Sequence, residues 1–103
     1  MLNNFTIQYT AISRNDLISI LDYIAQDNVD AAINQIDVIE TSVKQLAEHP
    51  YSGSIPNDSN IRLKGYRYLV IGSYNVFYIP NDKSKTVTIY RILNARQNYS
   101  DIL

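Results

Sequence analysis

Residues 61–80 read IRLKGYRYLVIGSYNVFYIP, a stretch in which β-branched and aromatic residues alternate on both sides of a glycine. From Ile61 the pattern predicts strand structure, which resumes over residues 74–79. Gly72 and Ser73 fit a two-residue hairpin turn with glycine in the first position. Because apolar residues occur on both faces, we expect these strands in the middle of a sheet, with helices on one side and tyrosines on the other.

A polar turn and a last strand follow this hairpin. The turn is PNDKSK at residues 80–85, and the strand covers residues 86–93. Before the hairpin, residues 51–60 read YSGSIPNDSN, a run of turn-forming residues that predicts a surface loop without a strand.

Two amphipathic helices are predicted from the first half of the chain. Ser13 with Asp16 resembles a capping box, so the first helix should cover about residues 14–26. Asn28 provides the next cap, and the second helix should end before Pro50. The apolar residues of both helices recur every three to four positions: Leu17, Ile20, Leu21 and Ile24, then Val29, Ala32, Ile33, Ile36, Ile39, Val43 and Leu46.

A short first strand completes the predicted fold. Residues 5–10 alternate apolar and polar side chains, as a strand with one buried face does. The short connection between the helices indicates an antiparallel helical hairpin. The sequence therefore predicts an α+β fold of order β-α-α-β-β-β, with an antiparallel-rich small sheet packed against an α-helical hairpin.

Length and composition favour a single cytoplasmic domain over residues 1–103. No apolar run approaches the roughly 18–20 residues of a membrane-spanning helix, and the N-terminus lacks a basic region followed by an apolar stretch. The absence of cysteine excludes disulfides, and one histidine cannot form a zinc site with soft ligands.

Charge is divided unevenly along the chain. Residues 1–60 hold two basic and eight acidic residues, whereas residues 61–103 hold seven basic and two acidic residues, giving net charges of −6 and +5. The second half is suited to an anionic partner, although cations on exposed strands also serve solubility and edge protection.

Few residues indicate chemistry. His49 lies at a predicted helix end, where the helix dipole favours a cation, and its structural interpretation outweighs a catalytic one. Each glycine stands alone, so no phosphate-binding loop is predicted, and neither a metal nor a cofactor is indicated. The helix acids predict a solvated face: Asp16, Asp22, Asp30, Asp37 and Glu40.

Arginine and tyrosine form the remaining candidate set. Arg62, Arg67, Arg91 and Arg96 accompany nine tyrosines in the chain. Guanidinium groups match phosphate or carboxylate, and tyrosine offers a stacking face, so the set suits RNA or an acidic protein surface. Packing of tyrosines on a small sheet is the alternative explanation.

Four strings in this order resemble the RelE/ParE superfamily of bacterial toxin–antitoxin toxins, over nearly the whole chain. They are DLISILDYIAQDN at 16–28, AAINQIDVIETSVKQLAEHPYSG at 31–53, IRLKGYRYLVIGSYNVFYIP at 61–80 and VTIYRILNARQNYSDIL at 87–103. The resemblance implies a growth-inhibiting toxin neutralised by a cognate antitoxin, with which it can form a hetero-oligomer. RelE-like members cleave messenger RNA on the ribosome without a metal, whereas ParE-like members inhibit DNA gyrase.

The resemblance favours the ParE-like branch. RelE-like sequences often carry an arginine after the hairpin turn, where this chain has Asn75. The string RILNARQNY resembles the ParE-type ending, although the histidine frequent at the Asn94 position is absent. A gyrase inhibitor would not be an enzyme, whereas a RelE-like protein would be a metal-independent endoribonuclease; both remain open at this point.

The resemblance also implies the working residues. Arg62, Arg67, Arg96 and Tyr99 are expected to bind the target, with Arg67, Arg96 and Tyr99 as catalytic candidates if the protein is RelE-like. Arg91 lies within a strand and is expected to support the sheet. If Arg67 and Arg96 are exposed, replacing either should change stability by no more than about 0.5 kcal/mol.

Overall fold

The computed structural model describes residues 4–103. It confirms the α+β fold, with one additional short helix between the helical hairpin and the second strand. 3₁₀ helices cover Gln45–Ala47 and Tyr99–Asp101. The longer elements are β1 (Thr6–Tyr9), α1 (Ala11–Ala25), α2 (Val29–Lys44), α3 (Ser59–Leu63), β2 (Arg67–Ile71), β3 (Tyr74–Asn81) and β4 (Thr86–Asn94).

The four strands form one mixed sheet in the order β1-β4-β3-β2. β1 runs parallel to β4, and the other two pairings are antiparallel, so the antiparallel-rich sheet is confirmed. α1 and α2 pack on one face of this sheet. The main core lies between these helices and the sheet and includes Ile20, Ile39, Val43, Val76, Tyr78, Val87 and Ile89.

The hairpin of β2 and β3 forms as predicted, but β2 lies at the edge of the sheet, so the expectation that both strands lie in its middle was wrong for β2. Ile71 lies opposite Tyr74, which leaves Gly72 and Ser73 as the two-residue turn. Gly72 has φ +58°, in the left-handed region that glycine adopts without the steric penalty of a Cβ atom. This turn sets the register of β2 against the central strand β3.

The predicted start of α1 was wrong by three residues. The helix begins at Ala11, and its N-cap is Thr10, whose hydroxyl accepts a hydrogen bond from the Ser13 amide at 3.0 Å. Thr10 also donates its amide to the carbonyl of Ile89 and its hydroxyl to the carbonyl of Tyr90. Because the sheet holds Thr10 at the end of β1, the helix starts there, and Ser13 is buried inside it.

The predicted strand structure from Ile61 was also wrong at its beginning. Ile61 lies in α3 and is buried, and Asp58 caps this helix by accepting from the amides of Asn60 and Ile61. Gly65, with φ +92°, follows the helix, and β2 begins only at Arg67. In the preceding loop, Ser54 forms one isolated bridge to Tyr68 on the outer edge of β2.

Candidate functional site

Arg67 is tied to the loop that precedes α3. Its Nη1 donates to the carbonyls of Tyr51 and Gly53, both at 3.0 Å. Its Cζ lies 5.1 Å from the ring centroid of Tyr51, within range of a cation–π contact. Arg67 is therefore half-buried and holds two backbone carbonyls, so the premise that it is an exposed charge was wrong.

Gly53 lies at the centre of the same loop. Its amide donates to the hydroxyl of Tyr78 at 2.9 Å, and an added Cβ would lie 2.5 Å from that oxygen. Burial raises the pKa of Tyr78, while the hydrogen bond from Gly53 and the charge of Arg67 act in the opposite direction. The loop is thus fixed to β2 and β3 by contacts that are distant in sequence.

A cleft of about 310 Å³ opens beside this loop. Arg62 lies on its wall, with Nη1 donating to the carbonyls of Pro56 and Asn57 at 3.5 and 3.2 Å. We call this feature the arginine cleft; its lining includes Arg62, Arg67, Tyr51, Tyr66, Ile55 and Pro80. The structure therefore brings two of the four predicted site residues together.

Arg96 and Tyr99 lie elsewhere. Arg96 is exposed in the turn after β4, and its amide donates to Oδ1 of Asn94. The Tyr99 ring packs on Phe77 with 5.0 Å between ring centroids. Phe77 belongs to the sheet face opposite the helical hairpin, so the C-terminal segment covers part of that face.

The two ends of the sheet separate Arg67 from Arg96. Arg67 pairs with Tyr78, which pairs with Ile89, whereas Arg96 follows Asn94 at the end of β4. Five residues of strand correspond to roughly 16 Å, at about 3.3 Å per residue. The four predicted residues thus do not form one site.

The ion pair of Asp16 and Arg91 joins α1 to β4. Asp16 accepts from Nε and Nη2 of Arg91 at 2.8 and 3.0 Å, and from the amide of Ile92 at 2.9 Å. β1 pairs with β4 only as far as Ile89. Past that residue the edge of β4 is bound by Asp16 instead. The side chains are 15% and 25% exposed for Asp16 and Arg91, respectively, so the prediction that Asp16 is a solvated acid was wrong.

The outer side of the helical hairpin carries a shallow apolar groove of about 290 Å³. Its apolar lining is Leu17, Ile18, Leu21 and Ile36, with Arg14 and Glu40 also on its wall. Ile18 is 55% exposed, and Ile33 on α2 is 51% exposed. We call this feature the hairpin groove.

The sequence comparison decides the family. A family model described as "ParE toxin of type II toxin-antitoxin system, parDE" matches residues 7–99. The chain belongs to the ParE toxin family. No curated protein sequence is a significant match to it.

Two solved structures show the same fold as this ParE-family chain. One, described as a chromosomal ParDE toxin–antitoxin system from P. aeruginosa, has a TM-score of 0.72 and 20% identity, and the match covers 89% of this chain and 97% of that one. The other is the RelBE2 toxin–antitoxin complex from Mycobacterium tuberculosis, with a TM-score of 0.61, 24% identity and coverage of 91% and 93%. The family model, together with this shared fold, confirms the RelE/ParE resemblance.

His49 is exposed after the 3₁₀ turn that follows α2. Within residues 4–103, no three metal-binding side chains are grouped closely enough to hold an ion. None of the helices in that range has the length and apolar character needed to cross a membrane.

Proposed function

We propose that this ParE-family toxin arrests bacterial growth by inhibiting DNA gyrase in the cytoplasm, and that a cognate antitoxin neutralises it. The family match over residues 7–99 is the observation that carries the proposal. Cleavage of RelE type is the competing function, because the RelBE2 complex shares the fold.

The sheet face opposite the helical hairpin supports gyrase inhibition over RNA cleavage. Asn75 and Phe77 alternate with the core residue Val76 on β3 and so belong to this face. Tyr66 and Tyr90 pack edge to face, and burial raises the pKa of Tyr66, further from the neutral range that suits proton transfer. Such a face offers little general acid or base chemistry for a ribose hydroxyl.

The positions of the arginines also weigh against a catalytic set. An RNA-cleaving site built from Arg67, Arg96 and Tyr99 would have to converge on one phosphate, because catalysis requires groups within hydrogen-bond reach of the reacting atoms. The sheet register separates Arg67 and Arg96 along the strands, and Arg67 already holds two backbone carbonyls. We propose instead that Arg62, Arg67, Arg96 and Tyr99 contribute to a target-binding surface.

We propose that the antitoxin places an amphipathic helix in the hairpin groove, since exposed Ile18 and Ile33 offer apolar surface to such a helix. Ile18→Glu, which places a charge in the groove, should weaken antitoxin binding, whereas Asn34→Glu, at an exposed position outside its lining, should not. Isothermal titration calorimetry with the antitoxin of the same operon measures both. Equal affinities for the two variants would contradict this assignment of the groove.

Timed induction tests the choice of target. Expression of the toxin alone should stop growth, and co-expression of the antitoxin should restore it. Induction should produce a DNA-damage response and gyrase-dependent breaks before protein synthesis falls. Early translation arrest with codon-positioned cuts in ribosome-bound message would establish the competing function, and unimpaired growth at verified soluble expression would contradict both.

A further inference from the structure

The arginine cleft contains two guanidinium groups that are fixed in place without being neutralised. Each is held through Nη1 by a pair of backbone carbonyls. Among residues 4–103, the one recorded ion pair is Asp16 with Arg91, so neither Arg62 nor Arg67 has a carboxylate partner there. The Nε and Nη2 groups, which form the edge that binds an oxyanion bidentately, have no hydrogen-bond partner within that range.

The surroundings of these arginines are apolar and aromatic. Ile55 is 53% exposed, and Pro80 and the ring of Tyr51 line the same cleft. A fixed cation beside exposed apolar surface matches a peptide segment in which an acidic side chain is next to an apolar one. Holding the guanidinium groups in advance lowers the entropy lost when such a segment binds.

Nucleic acid is a poorer match for the cleft. Affinity for a phosphate backbone depends on many cations along a continuous path. Here Arg91 is paired with Asp16, Arg96 lies at the opposite end of the sheet, and Lys64 donates to the carbonyl of Leu103.

We propose that the target protein docks on the arginine cleft through an Asp or Glu carboxylate bound by Arg62 and Arg67, with a neighbouring apolar side chain against Ile55 and Pro80. This inference rests on the proposed function, because it assigns the cleft to the target. The antitoxin is assigned to the hairpin groove, whose lining shares no residue with that of the arginine cleft.

A peptide titration tests the cleft directly. The full-length protein is titrated with acetyl-Leu-Glu-Leu-amide, and the arginine Nε–H signals are followed by NMR. We expect saturable shifts at Arg62 and Arg67, and about tenfold weaker binding in Arg62→Gln, the loss that corresponds to about 1.4 kcal/mol. Lys83→Gln, which removes an exposed cation from another turn, should bind as the wild type does.

Three results of control titrations would overturn the proposal. These are an equal response to acetyl-Leu-Gln-Leu-amide, saturation by inorganic phosphate as tight as by the glutamate peptide, and tighter occupation of the cleft by a thymidine hexanucleotide. Absence of a saturable shift would overturn it too. Thermal unfolding of Arg62→Gln verifies its fold, and Arg67→Lys, which keeps the charge but loses the planar fork, should also weaken peptide binding.

Inhibition of gyrase supercoiling separates this proposal from the function on which it rests. If the wild type inhibits gyrase, Arg62→Gln should need about tenfold more protein for the same inhibition, and equal potency would overturn the docking site. If the wild type does not inhibit gyrase, the proposed function fails, and the peptide titration still decides whether the cleft binds acidic segments.

Discussion

Replacing Arg91 with alanine should lower the free energy of unfolding by more than the loss of an exposed surface charge usually does. The change removes two hydrogen bonds from Asp16, at 2.8 and 3.0 Å. Breaking an exposed ion pair costs about 0.2–1 kcal/mol and breaking a buried one about 3–5 kcal/mol. With side chains 25% and 15% exposed, this pair lies between those limits, and we expect a loss of about 2 kcal/mol in the free energy of unfolding.

Urea unfolding and calorimetry of purified variants measure this loss. For a domain of this size, about 2 kcal/mol corresponds to a fall in Tm of about 10 °C. Asp16→Asn should cost less, because its amide oxygen still accepts from the amide of Ile92. In a double-mutant cycle, the two changes should show a coupling energy of about 1.5 kcal/mol.

Exposed charges provide the matched controls. The control variants are Asp22→Asn, on the solvent side of α1, and Lys83→Ala, in the turn between β3 and β4. Both should change stability by no more than about 0.5 kcal/mol. A loss of that size for Arg91→Ala, or a coupling energy near zero, would refute the inference that the ion pair holds α1 against β4.

Three further predictions concern the loop, the tyrosines and the exposed arginine. Gly53→Ala should cost about 1–3 kcal/mol, because its Cβ would lie 2.5 Å from a buried hydroxyl. Gly72→Asn should cost less in urea unfolding, because no atom lies within 4 Å of the added Cβ and only the positive φ is unfavourable. Burial raises the pKa of Tyr9 from 10.0 to about 12, so stability present below pH 10.0 should fall as the pH rises towards 12. Tyr9→Phe should reduce this fall, and an equal reduction by Tyr23→Phe at an exposed site would contradict the assignment. Arg96→Ala should abolish growth arrest with an unchanged unfolding midpoint and Arg96→Lys should restore it partly; full toxicity of Arg96→Ala would remove this turn from the target-binding surface.

The sequence by itself determined the elements that local chemistry controls. The two-residue turn at Gly72 needs a positive φ, and the cap at Asn28 needs a short side-chain acceptor, so both could be located from residue types. The apolar periods of α1, α2 and the strands identified most of the buried faces, but Val29 and Ile33 of the predicted α2 stripe are 59% and 51% exposed. These features and the family resemblance were sufficient for the order of the elements other than α3 and for the class of toxin.

Tertiary structure decided what depends on residues distant in sequence. The start of α1 follows from the pairing of Thr10 with β4, and α3 from the cap at Asp58 together with burial of Ile61. Asp16 looks like any helix acid in the sequence until the edge of β4 places Arg91 beside it. Sequence spacing reports the period of a segment but not the partner across a sheet, and only the folded register shows that Arg62 and Arg67 share a cleft while Arg96 lies at the other end.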